Sequence, residues 1–436
     1  MIKLEKLLNT YANNEKTTGS FLEYSLDGIY TLLDVLSHPE RDLPIIHVAG
    51  TNGKGSTCHM IESIFRSHEY HTGLFTSPHL ERVNERIRFD GKEISDDDFL
   101  SVLIEVDACA QKINSIQMTY FDILTASALL YFRNRNTDMV ILETGMGGRL
   151  DSTNAVHPRA VILTPISYDH THILGHTLEE ITGEKAGIIK NGIPVITSNS
   201  EPRIIEVITR KSESTHSPLL RIGSDFHADN IIIHNDTTSF SFRNDAYHIN
   251  DISINHPGKF QCDNAAAAIQ GAVSAGLNPD SQKIKHAFSS LRIPGRMEHL
   301  SEKPLIIFDP AHNEHALMSL AETLKRRYPE AKITAFVAFM KDKNPEHMIE
   351  LIRTHISQDI YYLTIDDPRA YVPSATDYIS GIFPASEDTP CEYLASIHAE
   401  KIILFTGSFR IYHFATRAAR FFVDRNNFSD SITAGR

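Results

Sequence analysis

The chain has 436 residues, of which 41% are hydrophobic and 22% charged. That composition excludes a wholly disordered, collagenous or coiled-coil chain, and the length predicts two or three domains. A formal net charge of −13 argues against non-specific nucleic-acid binding, which rests on neutralising phosphates, yet it permits a locally basic site. Cys58, Cys109, Cys262 and Cys391 stand far apart, with no C-x-x-C pair and no zinc spacing, which predicts free thiols in a reducing compartment. The charged start, Met1 to Lys6, carries no signal-peptide core, and no apolar run approaches the roughly 18 residues of a membrane helix. A cytoplasmic protein is expected.

In chain order, residues 1–40 read as helical, with Leu32, Leu33, Val35 and Leu36 on an apolar face that ends before Pro44. The run Leu43 to Val48 has the shape of a buried parallel strand. A glycine-rich turn follows, then a helix through Met60, Ile61, Ile64 and Phe65. Strand-like runs recur at 72–75, 139–142, 161–163 and 195–197, separated by helical stretches at 122–132 and 178–189. This alternation predicts a doubly wound, mostly parallel α/β sheet. Between about Arg221 and Ser253, patterns such as Ser239-Phe240-Ser241-Phe242 predict small antiparallel strands, and helical character returns at 264–275. After Pro294-Gly295 the alternation restarts, with strands at 305–308, 333–337, 360–363 and 402–405 and helices at 316–327 and 409–422. A boundary is expected near Ile293, dividing the chain into an α/β domain over 1–293 and a smaller Rossmann-like α/β domain over 294–436. The polar tail after Asp424 is expected to fray.

The strongest chemical signal is His47-Val48-Ala49-Gly50-Thr51-Asn52-Gly53-Lys54-Gly55-Ser56-Thr57, between a strand and a helix. Glycines let backbone N–H groups converge on phosphate oxygens, the helix N-terminus adds positive potential, and Lys54 reaches the outer phosphates. Gly55 takes the place of the usual P-loop hydroxyl. The second signal is Glu143 before the turn Gly145 to Asp151, where a carboxylate beyond a strand end is placed to hold Mg²⁺. Asp169-His170, beyond a third strand, makes His170 a site candidate. Lys190 reads as a solvated lysine, while Lys185 divides evenly between that reading and a site role. Ser77-Pro78-His79-Leu80, Pro294 to Glu298, Asp309-Pro310-Ala311-His312-Asn313, Lys341-Asp342-Lys343 and Gly407-Ser408 all follow or precede strands. Together they predict a polar strand-end face on the second domain as well.

These motifs, in this order and over nearly the whole chain, resemble the folylpolyglutamate synthase/dihydrofolate synthase branch of the Mur ligases. The Ser77-Pro78-His79-Leu80 and Gly147-Gly148-Arg149-Leu150-Asp151 segments are the most specific to it. The chain departs from the family pattern at Phe260-Gln261, at Pro310 and at Ser408-Phe409-Arg410. The resemblance implies ATP phosphates held by Asn52, Gly53, Lys54, Gly55, Ser56 and Thr57, and further ATP contacts from Asn264, Arg296, Asp309 and His312. It implies Mg²⁺ ligated by Ser77, Glu143 and His170, and a carbamylated Lys185 helping to hold a second Mg²⁺. The pterin-bearing substrate would meet Thr119, Tyr120, Phe121, Leu150, Asp151 and Ser152. Lys54, Lys185 and His170 would form the catalytic set.

The reaction so implied is ATP-driven amide formation: dihydropteroate or a reduced folate is activated as an acyl phosphate, and L-glutamate attacks as the amine. The second domain is expected to close over ATP and exclude water from that intermediate. All expected partners are small molecules, with no nucleic acid and no membrane, and the expected unit is a monomer. Two rival classes remain, a Mur-type ligase acting on a peptidoglycan precursor and a non-ligase P-loop NTPase. The Ser77 to Leu80 and Thr119 to Phe121 segments speak against the first, and the 294–436 domain is unexplained by the second.

Overall fold

Two α/β sheets and one antiparallel meander organise the chain. The computed structural model describes residues 2–13, 25–113, 116–234, 237–256, 258–374, 378–384 and 401–433, with the backbone alone for 2–3 and 423–433. Cys391 lies outside the described residues; Cys58, Cys109 and Cys262 are free thiols. The chain divides into two units, residues 1–292 and 293–436.

The first unit is built on an eight-stranded sheet. Its strands are β1 (Ile45–Ala49), β2 (Thr72–Phe75), β3 (Ile87–Phe89), β4 (Lys92–Glu93), β5 (Met139–Glu143), β6 (Ala160–Leu163), β7 (Val195–Thr197) and β8 (Leu219–Arg221), in the order β4-β3-β2-β5-β1-β6-β7-β8. The run from β2 to β8 is parallel, and β3 and β4 add antiparallel at one edge. Every residue of β1, β2, β5, β6 and β7 is buried, as strands covered by helices on both faces must be. A separate meander, β9 (Phe226–Ile233), β10 (Thr238–Asn244) and β11 (His248–Ile254), forms the antiparallel sheet expected there, in the order β11-β10-β9.

The second unit has six strands: β12 (Glu298–Glu302), β13 (Leu305–Asp309), β14 (Ile333–Val337), β15 (Asp359–Thr364), β16 (Gly381–Pro384) and β17 (Ile402–Thr406). Their order is β12-β13-β17-β14-β15-β16, and only β12 runs antiparallel to its neighbour.

Local chemistry sets the helices that matter for the site. Helix Tyr120–Asn134 starts at a capping box, in which the Thr119 hydroxyl accepts from the Asp122 N–H and the Asp122 carboxylate accepts from the Thr119 N–H. Helix Leu178–Ala186 starts the same way with Thr177 and Glu180. It ends three residues short of the expected Ile189, because the Arg149 N–H, at 2.7 Å, takes the Glu184 carbonyl that would have continued the helix. The expected frayed tail is also corrected: helix Tyr412–Thr433 carries the backbone past Asp424, and no proline or glycine interrupts those residues. Among the described residues no helix is long and apolar enough to cross a membrane.

Candidate functional site

In the first sheet β2, β5, β1 and β6 are neighbours, so the loops leaving their carboxyl ends lie side by side. In open parallel sheets ligands bind at this edge. The loop after β1 is the glycine-rich Gly50 to Gly53 turn, β2 leads to Ser77, β5 ends on Glu143, and β6 leads to His170.

The glycine-rich turn is fixed from behind. Thr51 and Asn52 N–H groups both donate to the Pro165 carbonyl at 3.0 Å. The Thr51 hydroxyl donates to the Ser167 carbonyl and accepts from the Ser167 N–H, each at 3.1 Å, and the Asn52 amide donates to the Ser167 hydroxyl. Gly53 has φ +83°, and a Cβ there would lie 2.7 Å from Asn264 Oδ1. Only glycine allows both that backbone and the approach of Asn264. Helix Lys54–Ser67 then begins, with Ser56 and Thr57 buried in its first turn. The Thr57 hydroxyl and Asn264 Oδ1 are buried without a hydrogen-bond partner in the protein, and such atoms call for a ligand or water.

Two lysines meet at this turn. Lys54 Nζ donates to the Gly50 carbonyl at 3.2 Å and the Thr51 carbonyl at 3.4 Å, while Lys185 Nζ donates to the same Gly50 carbonyl at 2.8 Å. Lys185 is 4% exposed, which separates it from a solvated helix lysine. Glu143 is 3% exposed and its Oε2 accepts the Ser77 N–H at 3.1 Å. A Cβ on Gly55 would lie 3.6 Å from Glu143, so the missing P-loop side chain leaves room beside the carboxylate. His170 adopts a left-handed backbone at φ +49°, its N–H donating to Asp169 Oδ1 at 2.8 Å. Among the described residues no three His, Cys, Asp or Glu side chains gather to enclose a metal. A buried carboxylate next to a hydroxyl residue suits Mg²⁺, which is held by one or two protein carboxylates and keeps water and phosphate as its other ligands.

A second cluster joins the two segments expected to meet the pterin-bearing substrate. Asp122 accepts from the Thr119 hydroxyl at 2.7 Å and from the Ser152 hydroxyl at 2.6 Å. Asp151 accepts from the Met146 N–H at 2.9 Å, and from the Thr153 N–H and hydroxyl at 3.0 and 2.5 Å. Burial holds the Asp151 carboxyl above its ordinary range against those three donors and the Gly145 backbone. The Phe121 ring lies directly on Gly145, where a Cβ would come within 2.7 Å of it. Leu150 is half-buried on the same loop, whereas Tyr120 is buried in the hydrophobic core.

Sequence reasoning missed Arg86. It is 1% exposed, its Nε donates to His79 Nδ1 at 2.9 Å, and its guanidinium lies 5.8 Å from the Tyr120 ring centre. Its sequence neighbours Asn84, Glu85 and Arg88 are polar or charged, with only Val83 and Ile87 apolar among them, so no local pattern marks it as buried. Lys190, read as solvated, is half-buried and donates to the Asn154 carbonyl at 3.0 Å; burial and Lys211 lower its pKa.

His47, in the middle of β1, is fully buried, and its pKa is lowered to about 3 by burial and by the nearby Lys190. The unfolded chain takes up a proton here near pH 6.5 and the folded chain does not, so between pH 6.5 and about 3 stability falls as pH falls, by up to about 1.4 kcal/mol per pH unit. Urea unfolding at pH 7 and pH 5 should therefore show a smaller acid loss for His47→Leu than for the parent chain. An equal loss would mean that His47 protonates in the folded state.

The second unit presents its own strand-end cluster. Asp309 Oδ2 accepts from the Met297 N–H at 3.0 Å and Oδ1 from the Ala311 N–H at 3.0 Å. Burial raises the Asp309 pKa against the opposing charge of Arg296. Arg296 lies 5.2 Å from the Phe409 ring centre, and His312, whose Nδ1–H donates to the Pro310 carbonyl at 2.8 Å, lies 6.1 Å from the same ring. Arg296 and His312 thus lie against Phe409, with Asp309 within electrostatic reach of both.

Comparison with known proteins finds relatives over most of the chain. The Mur ligase middle domain matches residues 48–272, and the Mur ligase glutamate ligase domain matches residues 295–409. A dihydrofolate synthase/folylpolyglutamate synthase of Bacillus subtilis is 36% identical over 397 residues, 86% of this chain and 90% of the relative. Among solved structures, a Mycobacterium tuberculosis folylpolyglutamate synthase with ADP superposes with a TM-score of 0.87 at 26% identity, covering 96% of this chain and 98% of the other. An FPGS–AMPPCP–folate complex superposes with a TM-score of 0.82 at 29% identity, covering 95% and 98%.

Proposed function

The chain belongs to the dihydrofolate synthase/folylpolyglutamate synthase family of Mur ligases, and from that premise we propose how its own residues carry ATP-dependent glutamate ligation to a folate-type acceptor. The observation that carries the proposal is that Lys54 and Lys185 meet on the Gly50 carbonyl while Glu143, which accepts the Ser77 N–H, faces Gly55 in the first turn of the helix that follows, beside a hydrogen-bonded loop pair joined by Asp122.

A carboxylate resists nucleophiles because it is already negative. Phosphoryl transfer from ATP converts the acceptor carboxylate into an acyl phosphate, and phosphate then departs as the glutamate amine attacks. We assign Asn52, Gly53, Gly55, Ser56 and Thr57 to the phosphates, and Lys54 to the charge that spreads over the transferring phosphoryl group. Asn264, Arg296, Asp309 and His312 are assigned to the nucleotide. Thr119, Phe121, Leu150, Asp151 and Ser152 are assigned to the acceptor, with Tyr120 supporting Phe121 from the core. Ser77, Glu143 and His170 would hold one Mg²⁺, and Lys185 as a carbamate would help hold a second. When bound, these cations neutralise phosphate charge. The proposed domains are an ATP-binding unit over 1–293 and a ligase unit over 294–436, working as a single chain in the cytoplasm.

ADP release with dihydropteroate and with tetrahydrofolate as alternative acceptors, glutamate being the amine, tests this reading. Turnover should require both an acceptor and glutamate; ATP hydrolysis independent of both would favour a non-ligase NTPase. Glu143→Gln and His170→Ala should each raise the Mg²⁺ concentration needed for half-maximal activity, since the amide of glutamine lacks the carboxylate's charge and alanine lacks a donor nitrogen. A half-saturation point unchanged in both variants would remove these residues from cation binding.

A further inference from the structure

We propose that His47 is a positioning residue for the acceptor: its Nε2–H, acting through Thr153 and Asp151, holds the Gly145 to Asp151 turn in its working shape. The inference rests on the assignment of that turn to the acceptor, and it adds a residue from the middle of β1 that the phosphate-loop chemistry does not use.

The geometry fixes the proton positions. Asp151 receives the Thr153 N–H and the Thr153 hydroxyl on Oδ1, and the Met146 N–H on Oδ2. The Thr153 hydroxyl has a single proton, and it is spent on Asp151. His47 Nε2 lies 2.8 Å from that hydroxyl oxygen, so Nε2 must carry the proton and donate. His47 Nδ1 is then a bare lone pair, and it is buried without a hydrogen-bond partner in the protein. A buried polar atom left in that state costs stability. A leucine in the same strand would avoid the cost, so the imidazole is explained by what its other nitrogen does. Burial keeps the ring neutral, and Lys190, on the Asn154 carbonyl one residue beyond Thr153, adds a nearby positive charge that acts in the same direction. A neutral ring has one donor only, which makes the bond to Thr153 one-directional.

The chain of bonds ends on Met146, between Gly145, which receives the Phe121 ring, and Asp151 itself. Loss of the His47 donor leaves the Thr153 hydroxyl short of its partner and frees Asp151 to turn. The damage falls on the acceptor loop, while the glycine-rich turn, tied to Pro165 and Ser167, keeps its shape.

Steady-state kinetics on His47→Leu, His47→Gln, Thr153→Val, Thr153→Ser and the His47→Leu/Thr153→Val double variant test this, with heat denaturation confirming folding. His47→Leu and Thr153→Val should each raise KM for the pterin acceptor about tenfold, the size of one lost buried hydrogen bond, with KM for ATP unchanged. The double variant should be no worse than Thr153→Val alone, since both remove one connected interaction. His47→Gln, whose amide N–H can occupy the Nε2–H position, and Thr153→Ser, which keeps the hydroxyl, should restore most of the loss. The inference is overturned if acceptor and ATP KM rise together, if the double variant is additive, or if glutamine is as poor as leucine. If His47→Leu does not fold, the Thr153 pair decides, and an unchanged acceptor KM in Thr153→Val overturns it. A parent chain inactive toward every folate acceptor would instead sink the assigned function.

Discussion

Replacing Lys54 with alanine lowers the rate of ligation about 10²–10³-fold, the cost of removing one preorganised charge from a transition state, and leaves the chain folded. Lys54 starts helix Lys54–Ser67, and its side chain donates to the Gly50 and Thr51 carbonyls of its own turn. The Gly50 carbonyl keeps a second donor in Lys185, and the turn keeps its anchors on Pro165 and Ser167, so the backbone has no reason to collapse. What disappears is a cation on a short tether at the helix N-terminus, where phosphoryl charge would build up. Single-turnover ADP formation by rapid quench, with circular dichroism and heat denaturation on the same sample, measures both halves of the expectation. A folded variant with near-normal turnover would remove Lys54 from the chemistry.

Lys185→Ala should be nearly inactive, with a loss of the same order, and short-chain carboxylates such as formate or acetate should restore part of the activity. Carbamylation needs a neutral amine, whereas an ordinary lysine has a pKa near 10.4 and is almost wholly protonated at pH 7. The surroundings must therefore disfavour the ammonium or trap the carbamate. Lys185 is buried and shares the Gly50 carbonyl with Lys54, so as an ammonium it would hold one positive charge close to another. Conversion to a carbamate turns that repulsion into attraction. Glu184, its neighbour in sequence, is turned away to Arg149, with Oε1 2.9 Å from Arg149 Nη2, and offers no competing pairing that would favour the ammonium. Activity of the alanine variant measured against added formate is the check. No rescue, together with an unmodified Lys185 mass by intact-protein spectrometry under CO₂-free and CO₂-rich conditions, would end the carbamate proposal and leave the ligase assignment standing.

Much of this site could be read in the sequence because it is made of residue types with few other uses at such spacings. A glycine-rich turn holding one lysine, a carboxylate that ends a buried strand, and a histidine after the next strand are local signals. The parallel sheet then brings them to one edge. The missed parts depend on neighbours distant in sequence. Nothing around Arg86 announces that its charge is buried against His79 and beside the Tyr120 ring, and nothing around Lys190 announces its bond to Asn154. Helix Asp96–Ala110 carries a local signal, with the Ser95 hydroxyl accepting the Asp98 N–H and three acidic residues in its first turn. The short edge strands β3, β4 and β8 are too brief for alternation to register. The early end of helix Leu178–Ala186 depends on the Arg149 N–H, which comes from a loop 35 residues earlier.

The hydrogen bonds from Thr51 and Asn52 to Pro165 and Ser167 make the turn after β1 and the segment leading to His170 a single mechanical piece. Any ligand that orders one of them pays part of the ordering cost of the other. Nucleotide and divalent cation should therefore bind with positive reciprocal linkage, each tightening the other by the same factor. Thr51→Val, which keeps the side-chain volume but cuts the two Thr51 bonds to Ser167 and leaves that of Asn52, should loosen that linkage more than it weakens either ligand measured alone.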